Sequence, residues 1–416
     1  MTAEVRRAVD AAFRDEWGRL VAALIRSTGD WDLAEECAQE AFAHALRTWP
    51  RDGIPQRPGA WLTTTARHRA VDRLRRETVG TAKLREAALV IPEPGPGDGG
   101  VPDDLLRLIF TCCHPALSLE ARVALTLRTV AGLSTAEIAR ALLVGEAAMA
   151  KRLTRAKAKI RHAGIPYRVP PAHLLPERTP AVLGVLYLLF SEGYAASVGA
   201  HLLRGDLCDE ATHLARVLAD LLPGEPEVLG LLALLLLHDA RRAARTEPDG
   251  QLVPLEDQDR TAWDRAAIAE GLAVLDRALH HRAPGPYQVQ AAIAACHATA
   301  ADAADTDWAQ IAALYGCLTR WRPSPVVELN RAVAVGMADG PAAGLELVAA
   351  LERTGALAGY HLLPATRADL LRRLGHHADA AAAYRAALEL ARTDAERHYL
   401  RRRLAELTRS PGGSHR

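Results

Sequence analysis

Between Ala147 and His162 the chain carries six Lys or Arg residues and no acid. Lys151, Arg155 and Lys159 recur every four residues, so in a helix they form one cationic stripe, which Arg152, Lys157 and Arg161 widen. Met149, Leu153, Ala156 and Ile160 share the helical period and predict the buried side. The chemistry such a stripe offers is phosphate contact and, in a major groove, hydrogen bonding to base edges. A solvated basic surface helix is the plain alternative.

The residues just before the stripe favour the nucleic-acid reading. Ser134 and Glu137 are spaced as a capping box, and Leu133 and Ile138 as the hydrophobic staple that accompanies it. Val144-Gly145-Glu146 predicts a turn. A short capped helix, a tight turn and a basic second helix make a helix-turn-helix, whose second helix enters the groove.

Two earlier stretches carry opposite charge. From Asp30 into the helix predicted to begin at Trp31 there are five acids, Asp30, Asp32, Glu35, Glu36 and Glu40, and no base. The helix dipole accounts for acids in the first turn. Glu36 and Glu40 lie beyond it, and either a surface for a basic partner or a solvated face explains them. From Ala60 to Arg85 seven bases face only Asp72 and Glu77, with Trp61 leading them. An aromatic beside a basic helix suits single-stranded nucleic acid, where bases stack and cations follow the backbone. Trp61 serves equally well as a core anchor.

The 416 residues allow two or three domains. Apolar residues make up 49% and aromatics only 5%, so the core is built of Ala, Leu and Val, and the fold class expected is all-α. Net charge is +1, so nucleic-acid binding has to come from local patches. Cys37, Cys112, Cys113, Cys208, Cys296 and Cys317 form no CxxC pair, and MTAEVRRAVD holds no apolar signal region; a cytoplasmic setting is expected. The apolar runs Ala181–Phe190 and Val228–Leu237 have about half the length of a bilayer span and read as buried helices, not membrane segments.

Residues 81–102 read as a flexible linker and 166–178 as a second, Pro-rich one. Gly95, Gly97 and Gly100 match G-x-G-x-x-G formally, but prolines interrupt the match and no strand precedes it, so no dinucleotide is expected. Cys112-Cys113-His114 fits no zinc spacing; no metal and no cofactor are expected. Residues 179–408 run as helix after helix. Ala368, Leu371, Gly375, Ala380, Tyr384 and Ala387 fall at tetratricopeptide spacing, which predicts a repeat-like array with a concave surface for a protein partner. Residues 409–416 read as a disordered tail.

The order of acidic helix, Trp-led basic helix, linker and helix-turn-helix resembles a bacterial RNA polymerase sigma factor of the extracytoplasmic-function (ECF) group. DWDLAEECAQEAFAHAL, AWLTTTARHRAVDRLRR and GLSTAEIARALLVGEAAMAKRLTRAKAKIR carry the resemblance, and the long helical C-terminus resembles the subgroup with a tetratricopeptide-like extension. It implies a region 2 helical bundle over 1–80, a helix-turn-helix region 4 over 103–165 and the extension over 179–408. By the resemblance, Asp30, Asp32, Glu35, Glu36, Gln39, Glu40 and Phe42 meet the β′ clamp helices of core RNA polymerase, which is also held through its β flap. Trp61, Arg67, His68, Asp72, Arg73, Arg75 and Arg76 open and read the single-stranded −10 element. Ser134, Thr135, Lys151, Arg152 and Arg155 contact duplex DNA at −35. His68 departs from the Asn usual there; a histidine still hydrogen-bonds a base or phosphate.

Two other classes compete. A stand-alone regulator explains the helix-turn-helix and the array but gives no role to the acidic helix or residues 60–76. An enzyme lacks a candidate: there is no P-loop, H-E-x-x-H or G-x-S-x-G, and Glu256, Asp257, Asp259 and Asp264 near Trp263 read as a solvated loop entering a helix. No catalytic residue is expected.

Overall fold

The computed structural model describes residues 3–77, 101–142, 144–194, 205–247, 251–321, 323–391 and 393–409. Most of the predicted first linker, including Gly95, Gly97 and Gly100, and nearly all of the predicted tail lie outside them. The chain divides into two compact units, residues 1–186 and 187–416. Among the described residues the secondary structure is helical, apart from one bridge between Thr246 and Leu252.

In the first unit α1 (Ala3–Thr28), α2 (Trp31–Asp52) and α3 (Pro58–Glu77) pack on one another. Asp30 starts α2: its carboxylate accepts from the backbone N–H of Asp32 and Leu33 at 2.9 and 3.0 Å. It satisfies two of the amides that a helix start leaves unpaired. Trp17, Trp49 and Leu62 are fully buried. Phe13 stacks on Trp17 with centroids 5.0 Å apart and meets Phe42 edge-on at the same distance.

Four further helices belong to the same unit: α4 (Val101–Cys112), α5 (Leu119–Thr129), α6 (Thr135–Ala141) and α7 (Glu146–His162). Helix α4 packs on α1, and α5 and α7 reach α2 through Arg128 and Lys157. A Cβ on Gly18 of α1 would lie 2.8 Å from the Val130 carbonyl oxygen. Gly132, between α5 and α6, has φ +78°, and a Cβ there would lie 2.8 Å from the rings of Phe13 and Trp17. Only glycine meets both demands, a left-handed backbone and contact with an aromatic cluster.

The stretch 166–178, expected as a Pro-rich linker, is anchored on the first unit through Tyr167. The Tyr167 hydroxyl donates to the Ala22 carbonyl at 2.9 Å, with the Asp104 carbonyl 3.3 Å away, and its ring meets Trp31 edge-on at 6.5 Å. Burial raises the phenol's pKa far above its usual range, which keeps it a hydrogen-bond donor. Helix α8 (Leu175–Tyr194) starts within the predicted linker.

The second unit continues with α9 (Gly205–Leu221), α10 (Pro226–Asp239), α11 (Arg265–His280), α12 (Pro286–Thr299), α13 (Trp308–Trp321), α14 (Pro325–Ala338), α15 (Pro341–Thr354), α16 (Leu362–Arg373), α17 (His377–Leu390) and α18 (Asp394–Arg409). Each packs on the next. Val228 to Leu237 of α10 are all buried, as their unbroken apolar run requires. In the α16–α17 hairpin Ala368, Ala380, Tyr384 and Ala387 are buried, and Gly375 turns the chain at φ +80°.

Candidate functional site

The helix-turn-helix forms as its residue types demand. Ser134 Oγ accepts from the Glu137 amide at 3.2 Å, and Glu137 Oε2 accepts from the Ser134 amide at 2.7 Å. The Ser134 hydroxyl also donates to Glu137 and is the main reason its carboxyl sits below the usual range. Ile138 beneath the capping box is fully buried. In α7, Met149, Leu153, Ala156 and Ile160 face inward, while Lys151, Arg155, Lys159 and Arg161 are exposed. Arg152 is half-buried, and Ser134 and Thr135 sit at the exposed to half-exposed start of α6.

Lys157 departs from the expected stripe. Its side chain is only 10% exposed, and its ammonium lies 2.8 Å from Asp32 Oδ1 and 2.8 Å from Glu35 Oε1. The contact to Glu35 is an ion pair without hydrogen-bond alignment, since that oxygen has no hydrogen-bond partner. Glu35 Oε2 accepts from Arg128 Nε at 2.9 Å, and Arg128 also donates to the Leu133 carbonyl at 3.1 Å. Glu35 is therefore buried at 4% exposure between two cations, not displayed on the surface. A charge so far from water requires partners of this kind.

On α2 the remaining expected residues separate by helical phase. Glu36 and Gln39 are exposed and Glu40 is half-buried. Phe42 lies in the aromatic cluster at 5% exposure, beneath this surface. Asp30 and Asp32 are exposed at the helix start, Asp30 as its cap.

The acidic and basic stretches, read separately in sequence, meet along one seam. Arg73 pairs with both Glu36 and Glu40, and Arg69 pairs with Glu40 at 3.1 Å. The Glu36 hydrogen bond is the chief cause that strengthens the hold of the Arg73 guanidinium on its proton. His68, Asp72, Arg75 and Arg76 are exposed on α3 and Arg67 is half-buried. Trp61 is half-buried; it stacks on His44 with centroids 5.6 Å apart and planes 13° apart, and meets Trp49 edge-on. It is at once a partial anchor and a partly open ring.

Sequence reasoning missed the residues that tie α1–α3 to α4–α7. Besides Arg128, Lys157 and Tyr167 they are Arg26 and buried Asp104, paired at 3.1 Å. Their partners lie far away along the chain, and no local pattern marks them. Cys112 and Cys113 are buried with their sulfurs 3.5 and 3.6 Å from the hydroxyls of Thr129 and Thr126. Burial pushes the Cys113 thiol up to about 11, so it is a packed thiol. In the second unit Glu256 pairs with Arg373 and Arg403, while Asp259 and Asp264 cap helical turns. These acids have structural duties.

Three family models match stretches of the chain. Sigma-70 region 2 matches residues 13–79 and Sigma-70 region 4 matches 107–160. A family of unknown function, DUF6596, matches 178–279. An uncharacterized protein, R00370, of Rhizobium meliloti is 46% identical over 97% of this chain and 96% of its own length. ECF RNA polymerase sigma factor SigL of Mycobacterium tuberculosis is 32% identical over 33% of this chain and 77% of its own length. No solved structure matches. With both sigma regions in order and a helix-turn-helix formed as they require, the chain belongs to the ECF group of RNA polymerase sigma factors and carries a C-terminal helical extension.

Proposed function

We propose that this sigma factor binds core RNA polymerase, brings it to specific promoters and helps open the −10 region. As a sigma factor it acts in transcription initiation and is not itself an enzyme. The observation that carries the finer reading is the exposed row Lys151–Arg155–Lys159 on a helix seated behind a formed capping box. In this reading α7 enters the major groove at −35, with Ser134, Thr135 and Arg152 beside it. Trp61, Arg67, His68, Asp72, Arg73, Arg75 and Arg76 capture unstacked bases at −10. Asp30, Asp32, Glu35, Glu36, Gln39 and Glu40 meet the β′ clamp helices with Phe42 beneath them, and the β flap holds region 4.

Glu35 and Asp32 engage Lys157 inside the unit. Docking of buried Glu35 on polymerase therefore requires Lys157 of α7 to leave it, and polymerase binding competes with the closed arrangement. The extension, a tetratricopeptide-like array, is regulatory and meets a protein partner. The chain acts in the cytoplasm; among the described residues no helix is long and apolar enough to cross a membrane.

The experiment is core binding followed by run-off transcription on a genomic promoter library at several salt concentrations. Specific transcripts from core plus this chain are expected. Binding to duplex DNA without binding to core would overturn this reading in favour of a stand-alone regulator.

A further inference from the structure

The second unit contains a cavity of about 310 Å³, at the small end of ligand pockets, between α10, α12, α13 and α14. Its walls are apolar and aromatic, with Tyr187, Trp263 and Tyr315 among them. Its polar lining consists of Arg241, His238, His297, Gln290 and Asn330, besides the two tyrosine hydroxyls and the indole N–H, and contains no carboxylate.

Arg241 is the unusual member. Its neighbour Arg242 is neutralised by Asp239 and Asp209. Arg241 pairs with no carboxylate among the described residues: its guanidinium donates to His238 Nδ1 at 3.1 Å and lies over the Tyr194 ring at 5.8 Å. Because Arg only donates, Nδ1 of His238 must be the bare nitrogen, and the imidazole is neutral with its proton on Nε2. Burial first, and then the Arg241 charge, lower the pKa of both His238 and His297. His297 Nδ1 is buried without a hydrogen-bond partner. Arg260 is fixed behind this wall by the carbonyls of His297 and Ala300 at 2.6 and 2.9 Å.

An adjoining cavity of about 460 Å³ shares Leu255 and His297 with the first. There two lining carboxylates, Glu256 and Asp369, balance two lining guanidinium groups, Arg260 and Arg373. The excess positive charge is confined to the cavity of Arg241.

We propose that this cavity binds a small organic monocarboxylate with an aromatic or apolar body. The carboxylate meets Arg241 and the neutral imidazole of His238; the body lies between the aromatic walls. One unpaired lining guanidinium matches one negative charge, and a dianion would leave charge uncompensated. The volume suits a compact molecule, and exposed Asn330 marks its mouth.

The test is calorimetry and thermal shift on the full chain with phenylacetate, indole-3-acetate and 4-hydroxybenzoate. Controls are phenylacetamide, phenyl phosphate and a hexapeptide with a free or an amidated C-terminus. At least one acid is expected to bind with Kd below about 1 mM, and phenylacetamide at least about tenfold more weakly than phenylacetate. Arg241→Gln should lose binding. Asn330→Asp, at the exposed mouth, should weaken acids by repulsion while keeping the wild-type melting temperature, which preserves the test if the first variant does not fold. No binding by any acid, equal binding of the amide, or unchanged affinity in folded Arg241→Gln or Asn330→Asp overturns the proposal. Preference for phenyl phosphate or for the free-carboxylate peptide also overturns it, in favour of a dianion or a protein terminus.

Discussion

The ammonium of Lys157, on α7, lies 2.8 Å from Oε1 of Glu35, on α2, although 122 positions separate them in the chain. The two side chains are 10% and 5% exposed, so solvent screens the pair little. This contact joins the helix proposed to read DNA to the surface proposed to meet polymerase.

Removing one member of a buried pair costs about 3–5 kcal/mol, and Arg128, which still neutralises Glu35, brings Lys157→Ala to about 3 kcal/mol. The urea midpoint should fall, and affinity for core polymerase should rise at least about tenfold as the closed arrangement weakens. Lower stability with unchanged core affinity would show that this contact does not compete with docking.

Charge reversal at Glu40 disturbs Arg69 and Arg73, and at Glu36 it disturbs Arg73, so either change alters the helix proposed to read −10 along with the proposed docking surface. Gln39 avoids that coupling because it is exposed and outside the seam. Gln39→Arg should weaken core binding by about tenfold with duplex −35 binding unchanged. A fluorescence titration with each partner reads the two separately, and equal losses in both would argue against a docking role.

Lys151→Ala and Arg155→Ala should each lower the slope of log affinity against log salt by about one for promoter duplex. Lys157→Ala should leave that slope alone, because its ammonium faces Asp32 and Glu35. A slope change for Lys157 as large as that for Lys151 would mean the helix binds DNA through another face.

His297 is held down to about 4 from its ordinary 6.5, first by burial and then by Arg241 and Arg260. Between those values the unfolded chain binds the proton and the folded chain does not. The stability contributed is therefore present above about pH 6.5 and is lost as pH falls toward about 4. Denaturation of the second unit should be more sensitive to pH between 7 and 5 than in His297→Leu, as followed by hydrogen exchange; identical sensitivity would remove His297 as the cause.

Gly132→Ala should destabilise the first unit by about 1–3 kcal/mol, from the left-handed backbone and the crowding against Phe13 and Trp17. Gly29→Ala, also at positive φ but with open space around it, should cost less. Thermal unfolding of both variants gives the comparison, and equal losses would assign the effect to backbone conformation alone.

The residues by themselves determined the local features. Ser134 and Glu137 specify a capped helix whatever surrounds them, because the capping box closes within four residues. The inward set Met149, Leu153, Ala156 and Ile160 follows from the helical period, and the unbroken apolar run of α10 from its lack of a polar face. The tertiary structure decided which charges are displayed. Lys157 and Lys151 sit on one basic helix, yet one is buried and the other exposed, because Glu35 and Asp32 arrive opposite only Lys157. Phe42 likewise reads as part of an acidic surface until α1 brings Phe13 and Trp17 against it. Arg241 and Arg242 are identical neighbours, and only packing leaves Arg242 beside two carboxylates and Arg241 lining a cavity against His238. Burial and charge pairing depend on what other segments deliver to a side chain, and period and composition carry no record of that.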